Sequence, residues 1–150
     1  MRQLTFILLF VLSLFNFNAC GRNNITSDTT NTNNHTSTNA DDQRLQTAFE
    51  NHEENIQVHG KGNVIKLLAD DTTGTKHQKF ILKLSSGQTI LISHNIDIST
   101  KIDILSLHDT VEFYGEYVWN EKGGLVHWTH RDPNGLHIDG YLKHDGVTYN

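Results

Sequence analysis

At 150 residues, 36% of them hydrophobic, the chain has room for one domain and a lean core. It carries 12 Lys and Arg against 17 Asp and Glu, a net charge of -5 with histidine neutral. These figures exclude a multidomain enzyme, a long coiled coil and a polytopic membrane protein.

Residues 4–17 (LTFILLFVLSLFNF) are almost wholly apolar and follow Arg2. The run is short for a bilayer span, which takes about 20 residues, but it suits the h-region of a signal peptide. Ala19 precedes Cys20, the one cysteine of the sequence. A small residue followed by Cys at the end of an h-region resembles the bacterial lipoprotein box. That resemblance implies a signal peptide over 1–19 and a lipid on the Cys20 thiol, hence a membrane partner reached through the N-terminus. Gly21, where Asp would signal retention, implies passage to the outer membrane, facing the periplasm. The plainer alternative is ordinary cleavage after Ala19. It would leave an unpaired thiol in an oxidising compartment.

Residues 21–43 (GRNNITSDTTNTNNHTSTNADDQ) contain twelve Asn or Thr and one large apolar residue, Ile25. Such a stretch cannot bury enough surface to offset its ordering entropy. We read residues 20–43 as a lipidated cysteine and a disordered tether, including His35, and 44–150 as the folded domain. Asp41 and Asp42 offer a helix N-cap. Leu45, Ala48, Phe49 and Ile56 recur at helical spacing, with His52 at the edge of the stripe, which predicts a helix over 43–56.

From Val58 the period changes to two. A strand is expected over 58–68, with a bend or bulge at Gly60 and Gly62, then a turn over 70–74. Residues 77–84 alternate, with Gln78, Phe80, Leu82 and Leu84 on one face. Lys76, Lys79 and Lys83 read as a solvated strand face. A hairpin turn at 85–87 leads to a third strand over 89–94. The stretch 96–107 is ambiguous between a short helix and an irregular segment. A fourth strand is expected over 110–119 with Val111, Phe113 and Tyr117 inward, a fifth over 125–129, and a short strand over 139–143.

The phrases GKGNVIKLLADD (60–71) and DTVEFYGEYVWN (109–120) resemble those of small exported bacterial OB-fold proteins. The expected fold is therefore all-β with little helix: an OB-fold-like five-stranded barrel with an N-terminal helix. An open sandwich of the same strands is the alternative. Separately, His-Gln-Lys-Phe (77–80), His-Asn-Ile-Asp (94–97) and His-Trp-Thr-His-Arg-Asp-Pro (127–133) resemble a family of short bacterial secreted or lipoprotein-like proteins of unknown function. That likeness covers about 57–149 and implies no activity.

Chemistry is concentrated in histidine: ten residues, eight of them at or after His59. The stretch 127–137 (HWTHRDPNGLH) holds three imidazoles, a carboxylate, a guanidinium and an indole. On a strand His127 and His130 point to opposite faces, so they share a ligand only if the chain turns near Thr129. The Asp132-Pro133-Asn134-Gly135 turn favours this. In an OB barrel the third and fifth strands are neighbours, which would bring His94 and Asp97 toward His127, His130, Asp132 and His137. Three readings stand: a structural polar network with Trp128 in the core, a ligand or catalytic cleft, and a site for a divalent transition metal.

Glu112 and Glu116 share a strand face and read as solvated rather than as an acid/base couple. His77 beside Asp70 and Asp71 reads as surface pairing. No hydrolase elbow, phosphate loop or dinucleotide fingerprint is present. From Arg44 onward the chain has two arginines, Arg44 and Arg131, beside eight lysines and fourteen acids. Generic nucleic-acid binding, which draws on a basic footprint, is therefore not expected. The expected function is a binding module for a small ligand or envelope component, the alternative a His-dependent envelope hydrolase acting on a phosphodiester or glycan.

Overall fold

The computed structural model describes residues 32–150, with side chains from Thr38 onward. The signal segment, Cys20 and His35's side chain lie outside that range. A helix, α1 (Thr32–Glu50), precedes seven strands: β1 (Ile56–Leu67), β2 (His77–Leu84), β3 (Thr89–Asn95), β4 (Thr110–Val118), β5 (Leu125–His127), β6 (Tyr141–His144) and β7 (Val147–Tyr149). The alternation along β2 is fully realised: Gln78, Phe80, Leu82 and Leu84 are buried and their neighbours are not.

Five strands close into a barrel. β1 pairs antiparallel with β2, and β2 with β3. β3 runs parallel to β5 through Leu91–Leu125 and Ile92–Val126. β5 is antiparallel to β4, and β4 returns to β1 over the full stretch from Ile56–Tyr117 to Asn63–Thr110. This is the order expected of an OB-fold-like barrel. The second edge of β4 is divided: Glu116 to Val118 pair with β5, and Val111 to Tyr114 pair with β6, on which β7 folds back. Gly140 lies where the chain crosses between them. A Cβ there would sit 1.9 Å from the Trp128 carbonyl oxygen.

The barrel interior is filled by Val58, Val64, Phe80, Leu82, Ile90, Ile92, Val111, Phe113, Tyr117 and Val126. Each such side chain contributes roughly 1.5–3 kcal/mol by leaving water. One end is covered by α1, whose Leu45 meets Phe113 beside Gly60: a Cβ at Gly60 would be 2.4 Å from the Phe113 ring. At the other end Ile102 of the 96–109 connector is held by a reciprocal pair. Gln78 Nε2 donates to the Ile102 carbonyl at 2.9 Å, and the Ile102 amide donates to Gln78 Oε1 at 3.0 Å. The connector forms no helix, which resolves the ambiguity at 96–107.

Four local expectations are corrected. The helix spans Thr32–Glu50, not 43–56. Its first half is polar and poor in intrinsic propensity, and just past its midpoint Asp42 is bonded to Ser85 Oγ and to the Ser86 amide. Asp41 and Asp42 therefore sit within the helix and do not cap it. The helix ends in a Schellman motif: His52 N donates to Phe49 O, Glu53 N donates to Ala48 O, and His52 takes φ 54°. Its ring lies 4.1 Å from that of Trp119, and Ile56 opens β1. The register irregularity in β1 lies between Val64 and Lys66, not at the glycines. Finally, β5 stops at His127 because Trp128 is left-handed, with φ 51°. Trp128 is half-buried and lies outside the core.

Candidate functional site

The turn at Trp128 decides where the histidines go. His127 stays on the outer face of β5, opposite Glu116 of β4, while Thr129 and His130 are carried inward and buried. Glu116 receives two imidazoles. His127 Nε2 is 3.2 Å from Oε1, and His137 Nε2 is 2.7 Å from Oε2. His137 also directs Nδ1 at the Ile138 carbonyl at 2.8 Å. Both its nitrogens thus face acceptors, an arrangement the imidazolium satisfies. Its ring stacks on Trp128 at 4.1 Å and 8°, where a cation is favoured over the indole face.

The two rings titrate in opposite directions. Burial opposes charge on His137, but its hydrogen bonds to Glu116 and the Ile138 carbonyl outweigh burial and raise its pKa. Burial dominates at His127 and lowers its pKa against the pull of Glu116, with His137 and His77 adding repulsion. Burial also works against the charge on Glu116, and its two imidazole partners overcome it, holding the carboxyl below its ordinary range.

The remaining sequence candidates do not join this cluster. His94 is fully buried, with Nδ1 2.9 Å from Thr129 Oγ1 and Nε2 3.2 Å from the Thr100 carbonyl. A carbonyl only accepts, so Nε2 carries a proton. Burial pushes its pKa down to about 4. His130, 4% exposed, gives Nδ1 to the Arg131 carbonyl at 2.7 Å and lies 6.4 Å from the His94 ring. Asp132 accepts from the amides of Asn134, Leu136 and His137. It organises the loop that presents His137. Asp97 accepts from the Lys76 amide at 2.8 Å and ties β2 to the connector. The expected convergence of all six side chains is therefore corrected to three separate arrangements: His127 with His137, His94 with His130, and two carboxylates spent on backbone amides.

Glu116, read from the sequence as solvated, is instead the centre of the His127 and His137 pair. Its signal was present in the outward phase of β4, but its meaning depended on β5 lying alongside. A second network was also missed. His59 places Nδ1 2.7 Å from Asp41 Oδ2 and Nε2 3.3 Å from Glu112 Oε1, and the Tyr141 hydroxyl donates to the same Glu112 oxygen at 3.0 Å. Glu112 is thus a hydrogen-bonded partner rather than a purely solvated side chain. Among the described residues no three His, Cys, Asp or Glu side chains form a set that could hold a metal ion. The Nε2 atoms of His127 and His137 that a metal would use are engaged by Glu116.

Beside this cluster the outer face of β2, β3 and β5 carries two hollows. One, of about 160 Å³, is bordered by His77, Ser93, Asn95, His127, Trp128 and His130. The other, of about 510 Å³, has Leu68, Ile81 and Leu91 for its apolar part and Asn120, Glu121 and Lys122 for its polar part. Leu91 and Ser93 are successive outward positions of β3, so the two lie on one continuous strip of sheet.

A family model described as a protein of unknown function, DUF3465, matches residues 29–150. The chain belongs to the DUF3465 family. A search of curated proteins finds no match. The DUF3465 match takes in α1 as well as the barrel, whereas the likeness read from the sequence covered about 57–149.

Proposed function

We propose that this DUF3465 protein is an envelope-anchored binding module whose ligand lies along the outer strip of β2, β3 and β5. The observation that carries this reading is the continuity of the two hollows. Ile81 and Leu91 provide an apolar floor, and His77, His127 and Trp128 provide polar, aromatic groups a few residues along. Pockets that take small molecules combine such an apolar floor with a few polar groups that set orientation. The matching face of OB barrels is a frequent ligand surface. The ligand class is a small amphipathic molecule, apolar over Leu91 and polar toward His127. Anchoring rests on the apolar run ending at Ala19-Cys20 and on the outer-membrane sorting implied by Gly21.

The test is amide-resolved NMR of the full chain in detergent micelles, screened against a library of small amphipathic fragments. Shifts should cluster at Leu91, Ser93, Asn95 and His127. Leu91→Asp should abolish them while the remaining spectrum stays native. Shifts clustering elsewhere on the barrel, or none with any fragment, would overturn the reading.

A second reading is a hydrolase, and one observation favours it: two imidazoles share the Glu116 carboxylate, one with its pKa raised and the other with its pKa lowered. His127 would act as general base on a water and His137 as general acid to the leaving oxygen of a phosphodiester or glycan. Turnover of a chromogenic phosphodiester or glycoside that disappears in both Glu116→Gln and His137→Asn would support it. Absence of turnover from pH 5 to 8 would remove it.

A further inference from the structure

On a different face of the barrel, a hollow of about 520 Å³ lies over β1 between β2 and β4. Asn63 stands at its centre, opposite Lys83 on β2 and opposite Thr110 on β4. Lys61 is the next outward residue along β1. Lys61 and Lys83 are therefore diagonal neighbours about 7–8 Å apart at their Cα atoms, within reach of one anion for two long side chains. Neither ammonium is in an ion pair among the described residues, whereas Lys76, Lys79 and Lys101 each have a carboxylate partner. Among the described residues no Asp or Glu lines the hollow. Glu112, the cross-strand partner of Lys61, turns its carboxylate to His59 and Tyr141 instead.

Two further donors face the same space. Asn63 accepts the Thr110 hydroxyl through Oδ1 at 3.2 Å, which leaves its NH2 group for the hollow. His108, also part of the lining, is held at φ 74°, with its amide donating to the Val64 carbonyl at 2.8 Å. A left-handed non-glycine residue is uncommon, and here it carries an imidazole to the rim. The result is a concentration of hydrogen-bond donors, two of them cationic, on a molecule that is acidic overall.

We propose that Lys61, Asn63, Lys83 and His108 form a binding site for a phosphate monoester. Two ammoniums match a dianion, and several donors from different strands match the several oxygens of a tetrahedral group. Such a group is found on free phosphate and on phosphorylated lipid or glycan headgroups. The site is independent of the strip on β2, β3 and β5.

The experiment is a titration of the full chain in zwitterionic micelles with inorganic phosphate and, separately, with glycerol 3-phosphate, read by amide NMR. Both should shift Asn63, Lys83 and His108. Lys61→Gln with Lys83→Gln should weaken binding at least tenfold. Lys66→Gln with Lys143→Gln, which removes two lysines that do not line the hollow, should change it less than twofold. Tighter binding of glycerol 3-phosphate would assign the site to an esterified headgroup, and equal or weaker binding to the free anion. Equal losses in the two double variants would reduce the effect to general charge and overturn the site. So would shifts that bypass Asn63 and His108.

Discussion

His94 shows how a single buried side chain sets the pH response of the fold. In the unfolded chain it titrates near its ordinary value, and in the folded barrel near 4. The unfolded state therefore takes up a proton first as pH falls. The stabilising contribution is complete above the unfolded pKa and is lost progressively down to the folded one, up to about 3 kcal/mol. His59 and His137 are raised, and their contributions run the other way, fading as pH rises through their folded pKa values. Urea unfolding of the native chain and of His94→Gln between pH 7.5 and 4.5 should give curves that converge on acidification. Parallel curves would show that His94 is not neutral in the barrel. A second contrast lies in the 127–137 stretch. His130→Ala empties a buried position and strands the Arg131 carbonyl, at about 2–3 kcal/mol. His137→Ala removes a ring whose side chain is 20% exposed, at about 1 kcal/mol. Thermal melts in the reverse order would refute the division between buried and presented histidines.

At the scale of elements, α1 is the part most dependent on tertiary contact. Leu45 and Ala48 were legible as its apolar stripe, and both are fully buried. Its start was not legible, because Asn and Thr at 32–39 are indifferent helix formers; the contact with the β2–β3 turn is made further along, at Asp42. Asp42 is 4% exposed and takes both Ser85 and Ser86. Asp42→Ala should cost about 1–3 kcal/mol, since it strands a hydroxyl and an amide at once. A loss below about 0.5 kcal/mol in urea unfolding would mean that the Asp42 contact does not hold the helix to the barrel. β5 makes the converse point. Its apolar alternation extends to Thr129, yet the strand ends two residues earlier because Trp128 adopts a left-handed backbone, a choice with no local sequence cue.

The whole molecule is a helix-capped OB-fold-like barrel of the DUF3465 family, with its two proposed ligand surfaces on different faces. Among the described residues no helix is long and apolar enough to cross a membrane. The proposed attachment is through a lipid on Cys20. Cys20→Ser should abolish incorporation of radiolabelled palmitate and move the protein from the membrane pellet to the soluble fraction. Pelleting that survives the substitution, and is reversed only by detergent, would refute lipid anchoring.

The existence of β1 to β6, the inward set on β2 and the buried positions of β4 were determined by the sequence alone, because a period of two is a local property that each strand states for itself; β7, three residues long, was not legible. Barrel closure and the identity of the polar partners were decided only by tertiary structure. Glu116 meets His127 through the β4–β5 register and His137 through a loop tied by Asp132. Asp41 meets His59 because α1 docks on the barrel. These pairings join residues 11 to 21 positions apart, and they depend on which edges are adjacent and in what register. A charged residue facing outward on a strand looks the same whether it meets water or an imidazole from the neighbouring strand. Only the closed sheet distinguishes the two.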